Sequence, residues 1–251
     1  MRNYIVIVVL FFLQMDASAQ DSIKNTSILL VPFQLEFYLS DAERDIMAQT
    51  KRSPEEYRDY FRKTLDLKIQ AELEVLGPCV SLLQDTTLQG RNLLEMFYGK
   101  AGYSYADPVG GRTLSKSEIK KQKKQFELHP DAQTAPQTIT TRGDSKFMQV
   151  EMGDTSFLNY LFQLYQSNYI VSINQFEIKT NYNSCIDIAN KIYRRELLIH
   201  YSILKANGKQ VRGNFCMEFF PSSTNSDREI VERTFPGIAS SIHKEIAEEI
   251  E

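Results

Sequence analysis

The sequence predicts a mixed α/β (α+β) fold, in two or three layers, with flanking helices on a mixed sheet and a long C-terminal β-hairpin. Residues 192–204 and 210–219 alternate apolar and polar side chains on either side of Ala206-Asn207-Gly208, the pattern of two paired strands. Tyr57, Phe61, Leu65, Ile69, Leu73 and Leu76 form an apolar stripe at helical spacing. The segments follow the order strand–helix–strand–helix, an insertion, then helix–strand–strand–strand–helix, which suits one sheet with helices packed on it.

Residues 27–38 form the first strand; their first half is continuously apolar, as for a strand covered on both faces. Pro32 lacks a ladder donor and marks an edge or a bulge. Ser40 with Glu43 fits a capping box for a short helix to about Thr50, and Ser53, Pro54 and Glu56 repeat the signal for a helix reaching Leu76 and stopping at Gly77-Pro78. Residues 79–83 read as a short buried strand and 88–98 as a helix. Asp154 caps a helix through Tyr165, and 168–178 is the next strand. Ser226 with Glu229 opens a C-terminal helix that Pro236 breaks or kinks near Phe235.

The hairpin has two possible registers. A two-residue Asn-Gly turn sets His200 opposite Phe215, pairing a polar face with an apolar one. A three-residue loop with Gly208 left-handed sets Ile203 opposite Val211, Ile199 opposite Phe215 and Leu197 opposite Met217. A slip of one residue turns every side chain over, so the second register is expected. It leaves Arg194, Glu196, His200 and Ser202 on a wet face.

Residues 103–150 differ in character. They hold Pro108, Gly110-Gly111, a basic run and a polar tract, with only Ile119 and Phe126 to bury a helix over 116–127. The segment reads as a partly mobile insertion in a single α/β domain spanning 20–251.

Composition bounds the function. Of 251 residues 42% are apolar and 24% charged, which excludes collagen, wholesale disorder and a coiled coil. A net charge of −3 gives no electrostatic footprint for a nucleic-acid partner. Residues 1–19 match a secretory leader: Arg2, a ten-residue apolar run over 4–13, and the small-x-small site Ala17-Ser18-Ala19. Ten residues make a helix of roughly 15 Å against a hydrocarbon core of about 30 Å, too short to span. No cysteine stands at the cleavage site, so the expected product is exported to periplasm or medium without a lipid anchor. Cys79, Cys185 and Cys216 are an odd number, so at least one lacks a partner within the chain, and the sequence assigns no pair. Asn25-Thr26-Ser27 fits a glycosylation acceptor, relevant only in a eukaryotic secretory pathway.

The order of elements resembles the small domain shared by the TolB N-terminal domain, the curli secretion lipoprotein CsgG and the penicillin-binding-protein activator LpoB. Ser27-Ile28-Leu29-Leu30-Val31-Pro32-Phe33 resembles that group's opening strand, and Asn168-Tyr169-Ile170-Val171-Ser172 its later strand; Asn207-Gly208 stands where its long hairpin turns. The chain departs from the group in lacking the acylated cysteine and in carrying the 103–150 insertion. The resemblance implies an envelope protein that works by contacting other proteins, and it carries over no catalytic residue.

Candidate chemistry is sparse. In the expected register His200 lies diagonal to Cys216, with Glu218 nearby, the residue types of a Cys–His nucleophile site; a wet sheet face supplies the same types without chemistry, and no catalytic residue is assigned. The three histidines, His129, His200 and His243, have no ligand spacing, and no Cys-x-x-Cys occurs, so no metal is expected. No phosphate loop occurs, so no cofactor is expected either. His129-Pro130-Asp131 matches the tripeptide of J-domains, but no first helix precedes it. Lys116, Lys120, Lys121, Lys123 and Lys124 offer contact with an anionic surface, membrane or glycan. The resulting expectation is an exported, non-enzymatic accessory protein that binds another envelope protein. The alternatives are a secreted hydrolase or a carrier of a small apolar ligand.

Overall fold

Strand β1 (Ile28–Val31) is buried along its whole length, and its side chains feed two cores. Ile28 and Leu30 join one, Leu29 and Val31 the other. The computed structural model that shows this describes residues 26–110, Ser117, Lys120, Lys121, Lys124 and 146–250.

Helices pack on a sheet of mixed parallel and antiparallel strands, so the α/β class holds. The strand order is β3 (Cys79–Ser81), β1, β6 (Tyr169–Asp187), β7 (Ile192–Lys205), β8 (Gln210–Pro221). β1 pairs parallel with β3 and β6, while β6, β7 and β8 are antiparallel. The single strand expected over 27–38 is two. Pro32 ends β1, a 3-10 turn covers Leu35–Phe37, and β2 (Tyr38–Ser40) resumes parallel pairing farther along β6. Proline cannot donate to the ladder, so the strand leaves the sheet there and returns.

One face is covered by α2 (Pro54–Leu73) and α5 (Asp227–Ile250). The predicted capping box of α2 is present: Glu56 N–H donates to Ser53 Oγ at 3.2 Å, and Ser53 N–H to Glu56 Oε2 at 2.9 Å. The box expected at Ser40 and Glu43 is not. Helix α1 (Glu43–Thr50) has Ala42 at its N-cap, because Ser40 Oγ accepts from the N–H of Ala42 instead. Nor does Pro236 end α5, which runs through it. The helix is pinned on both sides of that proline by buried Ile230, Phe235, Ile238, Ile242 and Ile246, and burial on this scale outweighs one lost backbone bond.

The other face carries α3 (Leu88–Lys100) and α4 (Thr155–Leu164), the latter capped by Asp154 as expected. It also carries a feature that the sequence reading missed. Both ends of the supposed insertion are strands: β4 (Ala101–Ala106) continues directly from α3 and pairs antiparallel with β5 (Phe147–Met152). This two-stranded ribbon lies against β7 and β8.

The expected hairpin register is overturned. The loop forms as predicted, with Gly208 at φ +76° and Leu204 opposite Gln210. A bulge at Val211 then shifts the pairing by one residue, so His200 faces Phe215 and Ile199 faces Cys216. Ile199 points to α2 and α5, Phe215 to the ribbon. The rule that apolar must pair with apolar fails because neither face is wet. Once both are covered, an apolar–polar alternation no longer tells inside from outside.

Candidate functional site beneath the β4–β5 ribbon

Residues 171 to 178 of β6 begin by alternating Val171, Ser172 and Ile173 and then carry two adjacent polar residues, Asn174 and Gln175. The pairing with β7 skips between Ile173 and Gln175. This bulge changes the phase of the strand, so Ile173 and Phe176 both face the helix-side core. Asn174 and Gln175 are turned to the ribbon side, where they meet β5 and β4. On β7, His200 and Ser202 share that face. All four residues are buried, His200 at 3% exposure and the others at zero.

The ribbon meets this row by its edge. Met148 N–H donates to His200 Nδ1 at 2.8 Å, Asn174 Nδ2 donates to Met148 C=O at 2.8 Å, and Val150 N–H donates to Ser202 Oγ at 3.3 Å. Asn174 Nδ2 also donates to Ser202 Oγ at 2.9 Å. A strand edge buried against a sheet face needs partners for its main-chain groups. Here side chains supply them.

This fixes the imidazole. With Nδ1 accepting, the proton of neutral His200 sits on Nε2. Burial, with the positive charge of Lys179 adding to it, pushes the pKa down to about 3. Nε2 has no hydrogen-bond partner; Glu177 Oε2 is 4.0 Å away. Gln175 Oε1 accepts from the Tyr105 hydroxyl at 2.8 Å, while Gln175 Nε2 and Asn174 Oδ1 have no partner.

The arrangement of His200 with Cys216 and Glu218 weighed from the sequence is not assembled. Cys216 and Glu218 belong to the opposite face of β8, since Cys216 packs in the core with α5. Burial, reinforced by Glu245 and Glu218, raises the Cys216 thiol well above its ordinary value. A protonated thiol under a helix is a poor nucleophile. Glu218, with one carboxylate oxygen buried and unpartnered, is pushed up to about 8 by burial. All three cysteines are free; Cys185 alone is exposed. Lys120, Lys121 and Lys124 are helical and exposed. Lys116, Lys123, the His129-Pro130-Asp131 tripeptide and the residues expected to form a leader lie outside the described residues. Among the described residues no cluster of three or more His, Cys, Asp or Glu is placed to hold a metal.

Sequence reasoning missed Asn174, Gln175 and Tyr105, and assigned Ser202 to solvent. The signal was the pair of adjacent polar residues inside an apolar strand, a mark of a bulge. A second buried carboxyl was also missed: Asp66 of α2 accepts from Ser81 Oγ at 2.7 Å and from Gln84 Nε2 at 3.2 Å, and burial raises it to about 6. No protein-family model and no curated protein matches the chain.

Proposed function

We propose that the protein is an exported accessory component of a bacterial envelope that acts by binding another protein. The observation that carries this reading is the use of His200, Ser202 and Asn174. Each is bonded to main-chain atoms of β5, so this face of the sheet already holds an extended chain by its backbone, the chemistry that binding of another polypeptide would use. The leader over 1–19 and the order of elements resembling the TolB N-terminal group support an envelope location. Among the described residues no helix is long and apolar enough to cross a membrane. Exposed Lys120, Lys121 and Lys124 suit peripheral contact with lipid headgroups or glycan.

The test is capture with the tagged mature protein from its own envelope fraction, followed by reconstitution of the pair from purified components. A saturable one-to-one complex that survives Cys216→Ala supports the reading. Loss of a cellular phenotype with Cys216→Ala, in a protein of unchanged fold, sinks it in favour of the hydrolase alternative.

A further inference from the structure

Strand β5 is held in the way that a peptide ligand is held. Its three polar contacts with the sheet all involve main-chain atoms. Its Phe147 ring fills an apolar pocket made by Leu198, Phe215 and Met217. Val150, two residues beyond Met148, is buried in the neighbouring core. Such a site reads an extended backbone and two apolar side chains, with little further demand on sequence.

The occupied state is also imperfect. His200 Nε2, Gln175 Nε2 and Asn174 Oδ1 are buried beneath the ribbon without partners. Lifting the ribbon breaks the three main-chain bonds and the Tyr105–Gln175 bond, and hydration of these unmatched groups offsets part of that loss.

We propose that His200, Ser202, Asn174 and the Phe147 pocket form a receptor for extended polypeptide that β5 fills in cis, and that an extended segment of the partner protein displaces β5. This deepens the protein-binding reading above and rests on it. The incoming segment carries a large apolar residue in the place of Phe147. The next residue supplies an N–H to His200 and a C=O to Asn174. Two residues further on, a small apolar residue stands where Val150 does and supplies an N–H to Ser202. Proline is forbidden at the two donating positions because it has no N–H.

The chain itself supplies the probe: a fluorescent peptide of residues 146–153, KFMQVEMG. Phe147→Ala in the full mature protein loosens the ribbon and opens the site. The peptide then binds this variant at least about tenfold more tightly than the unsubstituted protein, since the competing segment in cis is weakened. Proline in the peptide at the Met148 position abolishes binding. A folded Phe147→Ala protein that ignores the peptide overturns the proposal, as does binding that tolerates the proline. If Phe147→Ala does not fold, amide exchange in the unsubstituted protein decides. Exchange at Met148 and Val150 at least about tenfold faster than in the β6–β7 ladder supports a ribbon that opens by itself; equal rates overturn it. Either failure leaves the captured complex standing and removes only this site from it.

Discussion

The Nδ1 atom of His200 accepts the main-chain N–H of Met148 at 2.8 Å, so a side chain of one sheet closes the strand edge of another. The bond needs a neutral imidazole. The folded pKa is near 3, against about 6.5 for an unhindered histidine. The unfolded chain therefore binds the proton first as pH falls. Stability from this group is complete above about pH 6.5 and is lost progressively toward pH 3. Glutamine retains an acceptor but does not titrate. His200→Gln is expected to reduce the loss of unfolding free energy between about pH 7 and pH 4 by on the order of 2 kcal/mol. Urea melts of both proteins at the two pH values measure it, and equal slopes refute it.

Glu218 gives the opposite sign. Its carboxyl is raised to about 8 in the folded chain by burial, with one oxygen unpartnered. The folded state keeps its proton where the unfolded state has lost it. Stability thus falls as pH rises from about 4.5 to about 8, and the penalty is absent below that window. Glu218→Gln removes the charge and keeps the shape. The variant should match the parent near pH 4.5 and exceed it by about 1 kcal/mol near pH 8.5. Thermal melts across that range check the prediction, and a variant that is less stable at the alkaline end disproves it.

Much of the frame was legible from local chemistry. Ser53-Pro54 and Glu56 announced α2, Asp154 announced α4, and Gly208 fixed the hairpin loop, because capping and left-handed turns are decided within a few residues. The candidate site was not legible, for a physical reason. His200 and Ser202 alternate with Ile199, Tyr201 and Ile203, and that pattern looks the same whether the polar side meets water or a buried strand edge. Only the position of the ribbon distinguishes the two, and β4 and β5 are separated by forty residues of polar sequence. The bulges at Asn174 and Val211 then reversed the face of every residue beyond them.

Gly213 tests the seating of the ribbon from below. It exchanges two backbone bonds of 2.8 Å with Val109, and a Cβ placed on it would stand 2.5 Å from Cζ of Phe147. Its φ is not left-handed, so the demand for glycine here is one of space. Gly213→Ala should cost about 1–3 kcal/mol by overpacking and should loosen the ribbon. Faster amide exchange at Met148 and Val150, with β6–β7 pairs little changed, is the expected signature. A loss of protection spread evenly over the whole sheet contradicts it.

Ser172 and Ser202 face each other across β6 and β7, and both are buried. Their hydroxyls differ in a way that neither burial nor sequence reveals. Ser202 Oγ accepts from Val150 N–H and from Asn174 Nδ2, whereas Ser172 Oγ has no partner. Removing the first leaves a buried amide N–H and a buried side-chain NH unmatched, at a cost of about 1–3 kcal/mol. Removing the second deletes a group that already lacks its bond, so Ser172→Ala should lie within about 0.5 kcal/mol of the parent or above it. The two substitutions delete the same atom from neighbouring positions, so lost volume and strand propensity cancel in the comparison. A difference of less than about 0.5 kcal/mol between them in denaturant melts would show that Ser202 does not hold the ribbon.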